Sequence, residues 1–151
     1  MEVKNLNPAI YLGHGSRVTS VYADDKRMYS GSYDNTIKIW NGKTYEELAT
    51  LKGHSSYVFS VYADDKRIYS GSDDNTVKVW DSKTFEELAT LKGHSNAVNS
   101  VYADDKRIYS GSYDNTIKVW DSKTYEELAT LKGHSSYVFS VYADDKRMKI
   151  S

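Results

Sequence analysis

The sequence predicts an all-β protein assembled from repeated units, each made of four short antiparallel strands. Three features support this prediction: a segment that recurs at a fixed spacing, heavy use of aromatic residues, and short polar turns between apolar runs. The segment Val-Tyr-Ala-Asp-Asp-Lys-Arg occurs at 21–27, 61–67, 101–107 and 141–147, so the repeat is 40 residues long. Tyrosine occurs 14 times, whereas proline occurs once.

The unit that begins at Gly53 contains four runs separated by polar turns. The sequence predicts strands over 57–62, 67–72, 76–80 and 86–92. A 40-residue repeat also fits pairs of helices, and the segment Tyr-Glu-Glu-Leu-Ala-Thr-Leu-Lys contains good helix formers. That segment is short and follows three strands, so a strand is favoured and a helix is the alternative. Four short antiparallel strands per unit form one blade of a β-propeller.

The ends of the unit resemble the WD-repeat family, which has Gly-His near the start and Trp-Asp near the end. The matching pairs are Gly53-His54 with Trp80-Asp81, and Gly93-His94 with Trp120-Asp121. Gly13-His14 pairs with Trp40-Asn41, where asparagine replaces the usual aspartate of the family. The resemblance covers nearly the whole chain and implies a non-enzymatic β-propeller that binds protein partners.

Four blade equivalents are expected in the chain. Complete blades are predicted at about 17–53, 57–93 and 97–133, and a split blade is predicted from 137–151 plus 1–13. In the split blade, residues 9–12 would form the fourth strand and residues 2–6 a shortened third strand. The family usually has seven or eight blades, and an open array would leave strand edges free to pair. We therefore expect a homodimer that closes an eight-bladed ring, with a closed four-bladed monomer as the alternative.

In the WD-repeat family, a buried polar network joins the histidine after glycine, a serine or threonine on the second strand, the aspartate of the next turn and the tryptophan of the third strand. The resemblance implies three such networks: His14, Ser30, Asp34 and Trp40; His54, Ser70, Asp74 and Trp80; and His94, Ser110, Asp114 and Trp120. The chemistry is consistent, because an indole only donates, a carboxylate only accepts, and histidine and serine do both.

The same residue types would suit a hydrolase, but a catalytic triad uses one activated nucleophile rather than a copy in every repeat. The Gly-x-Ser-x-Gly sequence of a nucleophile elbow does not occur. The histidines lie 40 residues apart, so they are not expected to form a metal-binding cluster, and the sequence contains no cysteine ligands. We expect no catalytic activity, no metal and no cofactor.

Three positions differ in chemistry between the repeats, whereas most other differences are conservative. They read Arg17, Tyr57, Ala97 and Tyr137; Thr19, Phe59, Asn99 and Phe139; and Tyr33, Asp73 and Tyr113. The first two positions lie two residues apart, so on a strand they share one face. In the WD-repeat family these positions lie near the central channel on the top face, and the resemblance implies a partner-binding surface there. The alternative is drift at exposed, unconstrained positions.

Composition limits the expected partners. Lysine plus arginine number 20 and aspartate plus glutamate number 21, which argues against electrostatic binding of nucleic acid. No stretch is apolar enough for a membrane span and the N-terminus does not resemble a signal peptide, so a cytoplasmic location is expected. The leading prediction is a protein- or peptide-binding scaffold that also binds a second copy of itself. The near-identity of the repeats equally fits an engineered or recently amplified, self-assembling propeller without a natural ligand.

Overall fold

The computed structural model describes residues 13–133, 138, 140–143 and 148–150. The first blade contains β1 (Val18–Ala23), β2 (Arg27–Ser32), β3 (Thr36–Asn41) and β4 (Glu47–Lys52). The second blade contains β5 (Val58–Ala63), β6 (Arg67–Ser72), β7 (Val77–Asp81) and β8 (Glu87–Leu91). The third blade contains β9 (Val98–Ala103), β10 (Arg107–Ser112), β11 (Ile117–Asp121) and β12 (Glu127–Leu131). The C-terminal strand pair consists of β13 (Val141–Ala143) and β14 (Met148–Ile150).

Each blade is a four-stranded sheet in which consecutive strands pair antiparallel, in the order of the sequence. This confirms the predicted all-β fold with four-stranded antiparallel blades. The segment for which a helix was the alternative forms β4, β8 and β12. The paired carbonyl and amide groups of the sheet, together with the apolar surface of the neighbouring blade, outweigh the local helix propensity of Glu, Leu and Ala.

The turns of each blade are fixed by short side chains that bond to nearby backbone groups. Between β1 and β2, Asp24 Oδ1 accepts hydrogen bonds from the amides of Lys26 and Arg27, both at 2.8 Å. Between β2 and β3, Asn35 adopts a φ of 72°, a conformation that asparagine tolerates better than most residues. The repeat retains Asp and Asn at these positions because the turns require them.

The core lies between neighbouring blades. Val58 and Val61 of β5 pack against the first blade and are 0% and 5% exposed. They contact the sheet at Gly31, where a Cβ atom would lie 2.7 Å from Val58 Cγ1 and 3.1 Å from Val61 Cγ2. Each buried valine contributes roughly 1.5–3 kcal/mol, so these interfaces hold the blades side by side. The second–third junction repeats the arrangement at Gly71, with Val98 in the role of Val58.

The two ends of the described array differ in what covers them. Val141 of β13 and Val138, which precedes that strand, lie against Gly111 of the third blade, and both side chains are buried. The equivalent residues of β1, Val18 and Val21, are 47% and 66% exposed. The strands predicted at 2–6 and 9–12 lie outside the described residues, as does most of the predicted split blade.

Candidate functional site

A chain of hydrogen bonds crosses each of the three described blades from its third strand to its upper rim. The upper rim is defined by the loops that enter the first strands and those between second and third strands, at 13–17, 33–35, 53–57, 73–75, 93–97 and 113–115. In the second blade, Trp80 Nε1 donates to Ser70 Oγ at 3.0 Å. Ser70 Oγ and His54 Nε2 are 2.7 Å apart, and His54 Nδ1 lies 2.8 Å from Asp74 Oδ2. Every group is satisfied if the serine donates to Nε2 and the histidine donates from Nδ1.

The other two blades repeat this network closely. In the first blade, the His14–Asp34 and His14–Ser30 distances are 2.9 and 2.6 Å, and Trp40 donates to Ser30 at 3.0 Å. In the third blade, the corresponding distances from His94 to Asp114 and Ser110 are 2.7 and 2.8 Å, and that from Trp120 to Ser110 is 2.9 Å. The structure therefore brings all twelve network residues together in their three sets.

One member of the network was missed by the sequence reasoning. The threonine that precedes the apolar core of the third strand donates its hydroxyl to the aspartate Oδ1 at 2.6 Å in each blade, through Thr36, Thr76 and Thr116. Its backbone amide donates to the same oxygen, at 3.0 Å for Thr76. The signal was present, because a threonine follows every Asp-Asn pair of the turn.

The aspartates stay ionised because of these donors. Burial by itself raises the pKa of Asp34, but hydrogen bonds from Thr36 and His14 outweigh it and lower the pKa to about 2. In Asp74 the hydrogen bonds from His54 and Thr76 lower the pKa against the same effect of burial. Burial lowers the pKa of His94 below its usual value, which favours the neutral imidazole that the hydrogen-bond pattern requires.

A β-bulge lies at one of the variable positions in the first strand of each described blade. The pairing of β1 with β2 passes from Val18–Ser32 to Ser20–Gly31, which leaves Thr19 as the extra residue. The same shift occurs in the next two blades at Phe59 and Asn99. Bulges re-aim side chains and are common beside functional sites. The three bulge residues belong to the set whose chemistry differs between the repeats.

Aromatic rings from these variable positions meet across blade boundaries. Tyr33 of the first blade stacks on Tyr57 of the second, with ring centroids 4.1 Å apart and planes 17° apart. Phe59 contacts both rings edge-on, at 6.1 Å from Tyr33 and 6.3 Å from Tyr57. It also lies 6.2 Å from Tyr113 of the third blade. The Arg17 guanidinium lies over Tyr33 at 5.4 Å. The rings form one surface, which we call the rim cluster (Tyr33, Tyr57, Phe59 and Tyr113).

The remaining variable positions are placed differently from one another. Asp73 is exposed, Thr19 and Asn99 are half-buried, and Ala97 is only 1% exposed. Ala97 therefore offers little surface to a ligand, because its methyl group is covered by the surrounding rim. Tyr137 and Phe139 lie outside the described residues.

The WD domain, G-beta repeat family matches the chain over residues 7–41, 45–81 and 85–121. The chain belongs to the WD-repeat family. Among curated proteins, it is 46% identical over 43 residues to "Probable E3 ubiquitin ligase complex SCF subunit scon-2" of Neurospora crassa. That alignment spans 28% of this chain and 7% of the fungal protein, so the WD-repeat chain represents a small part of that relative's length.

Solved structures resemble the WD-repeat chain over most of its length. The computationally designed Ika4 protein is 34% identical with a TM-score of 0.83, over 92% of both chains. The computationally designed Ika8 protein is 36% identical with a TM-score of 0.84, over 91% of this chain and 43% of that one. The RRP9 WD40 repeats are 27% identical with a TM-score of 0.81, over 86% and 43% of the two chains.

The first WD repeat departs from the family at Asn41, yet the local structure is unchanged. Asn41 Oδ1 accepts hydrogen bonds from the amides of Lys43 and Thr44, at 2.8 and 3.0 Å. Asp81 makes the same two bonds in the second blade, at 2.7 and 2.9 Å. The turn needs an acceptor oxygen at this position, and an amide supplies it as well as a carboxylate does.

The serine of the network has the connectivity of a serine-hydrolase triad, but its surroundings differ. Ser70 is 0% exposed, and its Oγ already accepts the hydrogen bond from Trp80. A nucleophile must reach its substrate, so this serine serves the network rather than attack. Across the described part of the chain, no cluster of three metal-ligating residues and no helix long and apolar enough for a membrane span is present. The cytoplasmic location and the lack of a nucleic-acid partner stay predictions.

The lower rim, formed by the turns after the first and third strands, carries contacts that the sequence did not indicate. Arg27 of the first blade donates to the Ser82 carbonyl of the second blade at 2.6 Å, and its guanidinium lies 5.4 Å from the Phe85 ring centroid. Arg67 makes the equivalent contacts with Ser122 and Tyr125 of the third blade. The partners are 55 residues apart in sequence, so no pattern within one repeat reveals them.

Proposed function

We propose that the protein is a non-enzymatic scaffold that binds a peptide segment of a partner protein on its upper rim. The rim cluster is the observation that carries this proposal. Tyrosine and phenylalanine supply rigid contact area at low entropic cost and are common at binding hot spots. In this chain they occupy positions that differ between otherwise near-identical repeats. Tyr57 is 42% exposed, so part of the cluster is accessible to a ligand.

The residues of the three hydrogen-bond networks, which we call the framework, are constant between blades, whereas the rim residues are not. The network residues are the same in all three described blades, because each blade needs the same hydrogen bonds. The variable rim positions carry aromatic, charged, small polar and alanine residues in different blades, although the surrounding backbone bonds are retained. Tyr33 N donates to Arg17 O at 2.8 Å, and Asp73 N donates to Tyr57 O at the same distance. The rim residues are thus free to vary with the ligand while the blade stays intact.

Selection from a random-peptide phage library, followed by anisotropy titration of the free peptides, tests this proposal. The test variant is Tyr57→Ala with Phe59→Asn, which gives the second blade the residues that the third blade already has at 97 and 99. We expect it to bind selected peptides at least about tenfold more weakly, since hot-spot truncation typically costs more than 1 kcal/mol. The control is Tyr45→Asn, which removes an aromatic side chain that is 60% exposed on the lower rim. Equal binding by wild type and rim variant would contradict the proposal.

A second candidate function, self-assembly into a closed ring, is supported by the exposed apolar surface of β1. Val18 and Val21 are 47% and 66% exposed, whereas Val58 and Val61 are 0% and 5% exposed at the same positions of the second blade. The first blade therefore presents the surface that its neighbours bury. We propose that a second copy of the chain covers it. The chain matches one designed propeller of about its own length and another about twice as long, so the comparisons fit rings of one or two chains.

Light scattering during gel filtration tests the assembly. A ring of two copies predicts a molar mass of twice 17.2 kDa, and Val18→Asp with Val21→Asp should reduce it to that of one chain. Leu88→Asp is the matched control, because this leucine is 44% exposed and its equivalents Leu48 and Leu128 are 43% and 51% exposed. A wild-type mass of one chain would reject the two-copy ring and support closure within the chain.

A further inference from the structure

The upper rim differs sharply between its first two blade junctions. The first–second junction is filled by the rings of Tyr33, Tyr57 and Phe59. One repeat later, the same three positions carry Asp73, Ala97 and Asn99. The second–third junction therefore has a carboxylate and an amide in place of two rings, and a methyl group in place of the third.

The backbone around this junction keeps the geometry of its neighbour. The amide of Tyr113 donates to the Ala97 carbonyl at 3.0 Å, as the amide of Asp73 does to the Tyr57 carbonyl at 2.8 Å. The bulge in β9 also falls at Asn99, as the bulge in β5 falls at Phe59. The side chains of Asp73, Ala97 and Asn99 therefore share this junction as the three rings share the first.

Two acceptors at this junction have unused capacity. Asp73 is exposed, and its Oδ2 accepts a hydrogen bond from Ser56 Oγ at 2.8 Å. Asn99 Oδ1 is buried and has no hydrogen-bond partner among the described residues. Asn35 and Asn115 share that property, but both have a φ near 70° in a turn, which explains an asparagine there. Asn99 lies in a strand without such a backbone conformation, so its unpaired carbonyl oxygen calls for another explanation.

Aromatic rings border the same junction. Phe59 on the second-blade side and Tyr113 on the third-blade side have ring centroids 6.2 Å apart, with planes inclined by 43°. The junction thus combines ring surface, a negative charge and a carbonyl oxygen that lacks a donor. A planar cation with several N–H groups matches all three features, because it can lie against a ring and donate in its own plane.

The protein already uses this combination for its own arginines. On the lower rim, Arg27 lies over Phe85 at 5.4 Å and donates to the Ser82 carbonyl at 2.6 Å. Arg67 lies 5.5 Å from the Tyr125 ring centroid and donates to the Ser122 carbonyl. The upper-rim junction provides the same pairing of ring and carbonyl oxygen, together with a carboxylate.

Building on the scaffold function proposed above, we propose that the second–third junction of the upper rim binds the guanidinium of an arginine in the partner peptide. Asp73 supplies the countercharge and accepts N–H groups, and Phe59 with Tyr113 provides the ring surface. Rotation of the Asn99 side chain brings its buried Oδ1 to a further N–H group of the ligand. The neighbouring stack of Tyr33 on Tyr57 binds apolar parts of the same peptide. The rim thus selects peptides that carry an arginine beside apolar residues.

An NMR titration of the full chain with N-acetyl-arginine amide tests this proposal. We expect saturable shifts of the Asn99 side-chain amide and of the Asp73 and Tyr113 backbone amides, with a millimolar Kd. N-acetyl-citrulline amide keeps the planar shape but has a carbonyl oxygen in place of one NH2 group, so it lacks the charge and two of the five N–H donors. It should bind about tenfold more weakly, because charge-assisted hydrogen bonds are roughly twice as strong. N-acetyl-lysine amide, which lacks the planar fork, should also bind more weakly.

The chain supplies its own matched variants. Asp73→Tyr and Ala97→Tyr install the residues that occupy the same positions at Tyr33 and Tyr57, so the blade tolerates them. Each should abolish the arginine-specific shifts, and Asp73→Asn should weaken binding about tenfold. Retained arginine binding by Ala97→Tyr, or equal binding of arginine and citrulline, would overturn the proposal. If selected peptides still depend on Tyr57 and Phe59 but not on arginine, the arginine site is wrong and the scaffold function stands. If no selected peptide depends on the rim, both fail.

Discussion

Replacement of Ser70 by alanine should be among the most destabilising single-atom deletions in the protein. Its hydroxyl joins two buried groups of the second blade: it accepts from Trp80 Nε1 at 3.0 Å and lies 2.7 Å from His54 Nε2. Ser70 is 0% exposed and Trp80 is 2% exposed, so water cannot easily replace the lost oxygen. The substitution therefore leaves a donor and an acceptor unpaired in the interior.

The expected loss follows from these two groups. An unsatisfied buried polar group costs about 1–3 kcal/mol, and removal of the serine hydroxyl from the interior offsets part of the sum. We expect Ser70→Ala to lower the free energy of unfolding by about 2–4 kcal/mol. This is a large share of the roughly 5–15 kcal/mol that stabilises an ordinary domain.

Urea unfolding followed by tryptophan fluorescence measures this loss, because a network tryptophan lies in every described blade. Ser55→Ala is the matched control: Ser55 is exposed, and its contact with the network is the backbone amide, 3.1 Å from Asp74 Oδ2, which alanine keeps. We expect the control to change stability by less than about 0.5 kcal/mol. A double-mutant cycle with Trp80→Phe isolates the indole bond, and Ser70→Ala should cost about 1 kcal/mol less in the phenylalanine background. A loss below about 1 kcal/mol for Ser70→Ala, or no coupling in the cycle, would refute the reasoning.

Three further predictions rest on other contacts. Burial lowers the pKa of His94 in the folded chain. In the unfolded chain this histidine has its usual pKa of 6.5, so below that pH the unfolded state binds more protons and stability should fall as the pH drops. The urea midpoints at pH 7.5 and 5.5 should therefore differ less in His94→Gln than in the wild type. Gly71→Ala should lower the stability by roughly 1–3 kcal/mol, because the added Cβ would lie 2.8 Å from Val98 Cγ1. At Gly15 an added Cβ would meet nothing within 4 Å, so Gly15→Ala should be tolerated. Thermal unfolding of both variants measures the difference. Arg67→Ala should lower the unfolding midpoint, because it removes the hydrogen bond to the Ser122 carbonyl and the contact with the Tyr125 ring of the next blade. Arg107 occupies the equivalent position in the third blade and is exposed, so Arg107→Ala should lower the midpoint less.

The internal repeat made most of the fold predictable. The strands, turns and blade order follow from the alternation of apolar and polar residues and from the short polar turns within each 40-residue repeat. The predicted strands differ from the observed ones by about one residue at their ends. The network residues could be named because each blade is satisfied within itself. Contacts between blades could not be predicted from the sequence, because the hydrogen bond from Arg27 to Ser82 and the burial of Ala97 depend on how neighbouring sheets are placed. The bulge at Asn99 was also missed, because a register shift leaves no mark in the spacing of apolar residues.

The separation between framework and rim has a physical cause. Each network closes on itself, so its hydrogen bonds do not depend on the residues at the bulge or before the network aspartate. A change from Tyr57 to the residue type at Ala97 alters ring contacts but leaves the backbone bonds in place, at 2.8 and 3.0 Å in the two blades. Contacts that share no partners contribute nearly additively to stability, so an exchange of rim residues between blades should leave the contribution of the network unchanged. Binding chemistry can therefore be changed one junction at a time, because the groups that hold a blade together are not the groups that face a ligand.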